Sequence, residues 1–132
     1  MQMNQNYSLT FIIDDDPVFV LLFKKILMKL GKFETIVNFE NGQLALDVLV
    51  EKFKNNDSLP NIIFLDINMP ILDGWEFLKA LDKHNFKDQL NIYMVSSSID
   101  ATEIKKSKKY KMVKNFISKP ISASDFLKKI TN

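Results

Sequence analysis

Residues 61–74 read Asn-Ile-Ile-Phe-Leu-Asp-Ile-Asn-Met-Pro-Ile-Leu-Asp-Gly. Four apolar residues, Ile62, Ile63, Phe64 and Leu65, run without alternation into Asp66, and the run lies between Pro60 and Pro70. Such a run has no face to give to water, so it suits a strand covered on both sides, as in a parallel sheet. A carboxylate at the end of that strand emerges at the sheet's carboxyl edge, where open α/β sheets bind ligands. The plainer alternative is that Asp66 caps the turn that follows.

The rest of the chain repeats the theme. Residues 9–13 are a second buried run, ending in Asp14, Asp15 and Asp16. Pro17 suits a first helical turn, and Asp16 before it suits an N-cap. Val18, Leu21, Leu22, Phe23, Ile26, Leu27 and Leu30 recur at helical spacing, and Gly31 offers a stop. Strands are expected over 35–39, 91–95 and 115–118. Helices are expected from Asn41-Gly42 to about Asn55, from Gly74 to near His84, from about Asp100 to Lys109, and from Ser122 to Ile130. Asp100 with Glu103, and Ser122 with Asp125, have capping-box spacing.

Five strands alternating with five helices predict a doubly wound α/β fold. Its sheet is parallel and five-stranded, in the flavodoxin-like order 2-1-3-4-5, with right-handed crossovers. All carboxyl ends then share one edge, which collects Asp14, Asp15, Asp66, Ser96 and Lys119. The length suits one domain over residues 1–132, with its core at about 9–130. An apolar fraction of 46% is enough for a core. With no cysteine there is no disulfide or thiolate metal site. A net charge of +2 argues against a general nucleic-acid binder. No run is long enough to cross a bilayer, and the first residues lack a basic-then-apolar signal, so a cytoplasmic location is expected.

Three acids brought together repel unless something neutralises them. A hard divalent cation such as Mg2+ does so with carboxylates, waters and phosphate oxygens; otherwise the acids stay solvated or one takes up a proton. Lys119 adds a point charge suited to phosphate, and Ser96 a hydroxyl suited to a phosphoryl oxygen. Together they fit phosphoryl transfer to an Asp nucleophile, which is already ionised at neutral pH. Lys119 alone would read as a solvated lysine.

With those residues in view, the chain resembles the receiver domain of two-component response regulators, over about 9–130. The resemblance rests on Ile13-Asp14-Asp15-Asp16-Pro17, Leu65-Asp66-Ile67-Asn68-Met69-Pro70 with Asp73-Gly74, Val95-Ser96-Ser97, and Phe116-Ile117-Ser118-Lys119-Pro120. It implies that Asp66 is the phosphoacceptor. Asp14 and Asp15 would hold Mg2+, with Asp66 and the backbone carbonyl of Asn68. Ser96 and Lys119 would hold the phosphoryl group, and the Lys119–Pro120 bond would be cis. It implies a switch in which Ser96 moves to the phosphoryl group and Phe116 swings inward, reshaping the face of the fourth helix, fifth strand and fifth helix. Ser96 stands where Thr is frequent, and Phe116 where Tyr is common. Asn68 and Ser98 lie where the family tunes the lifetime of the aspartyl phosphate.

The resemblance implies a non-enzymatic phosphoacceptor, fed by a sensor histidine kinase or a histidine phosphotransfer protein and signalling through a protein partner. The short tail after Pro120 leaves room for one helix, so a stand-alone receiver is expected. One rival is a small Asp-nucleophile phosphatase of the haloacid-dehalogenase type. That type needs an acid two residues after the nucleophile, where this chain has Asn68. The other rival is a degenerate receiver that binds partners without phosphorylation. Lys105, Lys106, Lys108, Lys109, Lys111 and Lys114 form a solvated face, a dock for an acidic partner or, third, a contact for nucleic acid, which no aromatic interleaving supports. His84 reads as an exposed or capping residue, and Trp75, Phe77 and Leu78 as core packing.

Overall fold

The computed structural model describes residues 6–131; residues 1–5 and 132, part of the expected single-domain span, lie outside the described residues. Strands β1 (Tyr7–Ile13), β2 (Phe33–Phe39), β3 (Ile62–Asp66), β4 (Ile92–Ser96) and β5 (Val113–Ser118) alternate with helices α1 (Pro17–Leu30), α2 (Gly42–Lys54), α3 (Gly74–Leu81), α4 (Ala101–Ser107) and α5 (Ala123–Thr131). The strands form one parallel sheet in the order β2-β1-β3-β4-β5. This is the flavodoxin-like arrangement expected from the alternation.

Each face of the sheet is covered. Phe11, Ile13, Ile63, Leu65 and Met94 point one way, against Ala45 and Leu49 of α2 and Phe77, Leu78 and Leu81 of α3. Ile12, Ile62, Phe64, Val95 and Ile117 point the other way, against Val20, Phe23 and Leu27 of α1 and Phe126 and Ile130 of α5. Strand β3 is therefore buried along its whole length. Its unbroken apolar run has no other use.

The helix ends follow local chemistry. The Asp16 carboxylate accepts from the Val18 and Phe19 amides, and Gly31 closes α1 at φ 68°. Asn41 caps α2 through the Leu44 amide, and the Ser122 hydroxyl accepts from the Asp125 amide at 3.2 Å. Asp73 and Glu76 form a reciprocal capping box on α3. The expected box on α4 is half made: Asp100 accepts from the Glu103 amide, but the Glu103 carboxylate is bonded elsewhere.

Several boundaries differ from expectation. β1 and β2 begin earlier because Tyr7 and Phe33 are register partners whose rings stack with centroids 4.8 Å apart. α3 stops at Leu81; His84 then sits at the N-cap position of a 3-10 turn over Asn85–Gln89, without a side-chain capping bond, and stacks on Phe86. α4 stops at Ser107, whose hydroxyl donates to the Ile104 carbonyl at 2.7 Å and whose own carbonyl takes the Tyr110 amide. β4 extends to Ser96, and β5 starts at Val113 with a register irregularity opposite Ile92 and Tyr93.

Candidate functional site at the carboxyl edge of the sheet

Register brings the polar residues together. Ile13 pairs with Leu65, so Asp14 leaves β1 beside Asp66 at the end of β3. Asp66 pairs with Val95, and Ser96 with Ser118, so Ser96 lies one step past Asp66 and Lys119 one step past Ser96's partner. Carboxylate oxygens of Asp14, Asp15 and Asp66 all lie within 4.8 Å of one another. The Lys119 ammonium is 2.9 Å from Asp14 Oδ2 and 3.6 Å from Asp66 Oδ1. Asp14 and Asp66 are buried, at 2% and 6% exposure, while Asp15 is exposed.

The electrostatics follow from that crowding. Burial pushes the Asp66 carboxyl up to about 6, helped by the charge of Asp14, against the pull of Lys119 and the Asn68 amide. Burial also raises Asp14, although the Asp16 amide and Lys119 favour its charged form. Burial works against the Lys119 ammonium, but the hydrogen bond and charge of Asp14, then Asp66 and Asp16, outweigh it and raise its pKa. One ammonium thus faces three acids. An all-carboxylate donor set with neighbouring oxygens and unbalanced negative charge fits a hard divalent cation, so the residues present suit Mg2+.

The surrounding loops are held from several sides. The Asn38 amide donates to the carbonyls of Ile12 and Asp14, fixing the end of β1. Gly74 packs so closely that a β-carbon there would sit 2.8 Å from the Asp66 carbonyl oxygen and 2.9 Å from Ile67 Cα. Its amide also donates to the Ile67 carbonyl. The Ser96 hydroxyl accepts from the Ser98 amide and donates to the Ser98 carbonyl, both at 3.1 Å. Asn68 is exposed just past Asp66, and Phe116 is packed into the core. The Lys119–Pro120 peptide bond is cis. Ile71, in the loop before α3, is 76% exposed and takes a φ of 71°.

Three contacts had no signal in sequence spacing. Phe19, on the first turn of α1, places its ring 4.3 Å from the Lys119 ammonium. Trp75 donates from its indole nitrogen to Glu103 Oε2 at 3.1 Å, and Lys106 lies 4.7 Å over its ring. Trp75 thus ties α3 to α4 instead of serving only as packing. A separate hollow of about 360 Å³ near Asp82, Lys87, Asp88 and Lys109 mixes both signs of charge and lies away from this edge.

The family model for the response regulator receiver domain matches residues 10–131. The chain belongs to that family. Among curated relatives, the sensor histidine kinase CheAY of Helicobacter pylori is 32% identical over 110 residues, which are 83% of this chain and 13% of that protein. DegU of Brevibacillus brevis, a transcriptional regulatory protein, is 38% identical over 80 residues, and the match covers 31% of its length. This receiver therefore spans less than a third of those relatives. The chemotaxis protein CheY of Bacillus subtilis matches nearly end to end, at 34% identity over 125 residues, 90% of this chain and 91% of CheY. In structure, a two-component response regulator from Cytophaga hutchinsonii superposes with a TM-score of 0.85 at 27% identity, covering 96% of each chain. As a receiver, the chain is a component of two-component signalling.

Proposed function

We propose that this receiver acts in the cytoplasm, and that Asp66 accepts a phosphoryl group from a sensor histidine kinase or a histidine phosphotransfer protein. The observation that carries this reading is the meeting of Asp14, Asp15, Asp66 and Lys119 at one sheet edge. Asp66, raised only to about 6, is mostly ionised at neutral pH and needs no general base. Its carboxylate oxygen attacks phosphorus, the N–P bond to the donor's imidazole breaks, and the nitrogen keeps the electron pair. Lys119 reaches a phosphoryl oxygen on Asp66 and balances charge that builds there. Asp14, Asp15, Asp66 and the Asn68 carbonyl would hold Mg2+, which when bound supplies charge neutralisation for the acids and the phosphate.

The switch begins at Ser96. Its hydroxyl gives up Ser98 for a phosphoryl oxygen, which moves the loop leading into α4. Phe116, buried in this structure, then swings into the space that Ser96 vacates. The output is a two-state shift of the α4–β5–α5 face. A hollow there of about 310 Å³, lined by Ile104, Tyr110 and Phe116 with Lys108, Lys111 and Lys114, suits an acidic protein partner better than nucleic acid or a membrane. Among the described residues no helix is long and apolar enough to cross a membrane. Asn68 is no acid, which disfavours the phosphatase alternative.

The test is to add magnesium with beryllium fluoride or acetyl phosphate, and to follow intact mass and amide NMR for the protein and for Asp66→Asn. One phosphoryl group per chain from acetyl phosphate and a global spectral shift with beryllofluoride, both absent in Asp66→Asn, are expected. Turnover of small phosphates that persists in Asp66→Asn, or no response, overturns the reading.

A further inference from the structure

Lys119 has three close neighbours at the rim: Asp14, Asp66 and the face of Phe19. Two of them are acids, and both belong to the set that a cation or a phosphoryl group would engage. Once those acids are engaged, their hold on the ammonium weakens. The ring is the neighbour whose charge and partners do not change. Its position is also well determined. The Asp16 carboxylate binds the Phe19 amide at 3.3 Å, fixing the first turn of α1, and the ring packs on Phe23 with centroids 5.6 Å apart. From the other side, the Lys119 amide is bonded to the Ser96 carbonyl at 2.9 Å. The lysine's backbone and the ring's backbone are therefore both anchored, and only the lysine's flexible stem lies between them.

We propose that Phe19 is a positioning residue for Lys119: its ring face keeps the ammonium turned toward Asp66 when the acids are otherwise occupied. An ammonium over an aromatic face is drawn to the ring's negative quadrupole, the more so where water is scarce. The Lys119 side chain is only 20% exposed, so the attraction is poorly screened. Without the ring, the ammonium has an open path to solvent and spends less time where a phosphoryl oxygen arrives. This inference rests on the phosphoacceptor reading of Asp66.

The experiment varies the ring's electrons without varying its size. Phe19 is replaced by 4-fluoro-, 3,5-difluoro- and 3,4,5-trifluorophenylalanine, and separately by Tyr and Leu. Beryllofluoride affinity is measured at saturating magnesium, and thermal stability in parallel. Affinity is expected to fall stepwise with each fluorine, to hold in Phe19→Tyr, and to drop roughly threefold to thirtyfold in Phe19→Leu. Melting temperatures of the fluorinated proteins should stay level, since fluorination keeps the ring's bulk. A loss in Phe19→Leu with a flat fluorinated series means that the ring only fills space, and it sinks the inference while leaving the phosphoacceptor reading intact. No beryllofluoride binding by the unsubstituted protein removes both.

Discussion

Asp66→Asn removes a negative charge that folding buries at a cost. The carboxyl titrates near 3.8 in an unfolded chain and about 6 in the folded one. Below 3.8 it is protonated in both states and contributes nothing against folding. Between 3.8 and about 6 the unfolded chain ionises while the folded protein still holds its proton, because burial and Asp14 disfavour the charge, so the penalty grows across that window and levels off above it. At about 1.4 kcal/mol per pKa unit, the penalty approaches about 3 kcal/mol at neutral pH. Water at the rim screens the site and brings the expected gain from Asp66→Asn to roughly 1–3 kcal/mol. Asparagine mimics the neutral carboxyl in shape, and Lys119 keeps its shorter contact with Asp14. Urea unfolding in magnesium-free buffer with a chelator, from pH 4 to 7.5, is the assay. With a slope of about 1–3 kcal/mol per molar, the variant's midpoint should rise by roughly 1 M at pH 7.5. The gap should close as pH falls toward 4. A variant less stable than its parent, or a gap that ignores pH, would refute the account of the site's electrostatics.

Other perturbations test neighbouring parts of the fold. Thr10 is fully buried in β1 and its hydroxyl has no hydrogen-bond partner among the described residues; Thr10→Val keeps the shape and should add about 1 kcal/mol, seen as a melting temperature several degrees higher. Gly74→Ala drives a β-carbon into the backbone of Asp66 and Ile67; it should cost about 1–3 kcal/mol and shift the Asp66–Asn68 amide resonances. Ile71→Gly relieves a β-branched residue of its left-handed backbone while giving up little burial; a gain of about 1 kcal/mol in thermal unfolding is expected.

Much of this was readable before any coordinates. The unbroken run into Asp66, the acids after β1 and the lysine after β5 share an edge for one reason. A parallel sheet leaves every strand end on the same side. The Asp16 cap and the Gly31 stop were equally plain, because each acts within a few residues of itself. What stayed hidden depends on partners far away in the chain. Glu103 sits at capping spacing, yet its carboxylate goes to Trp75, so the expected box on α4 is only half built. Phe19 reads as one more apolar residue of α1 until β5 delivers Lys119 to its ring. The early starts of β1 and β2 have the same origin, an aromatic stack between two strands.

Trp75 is the protein's only tryptophan. Rooted in α3 and bonded through its indole to α4, it makes the chain its own optical gauge. Ultraviolet-excited emission needs no added dye to register any parting of those two helices. A stopped-flow trace could time that parting directly, in solution, on unlabelled material.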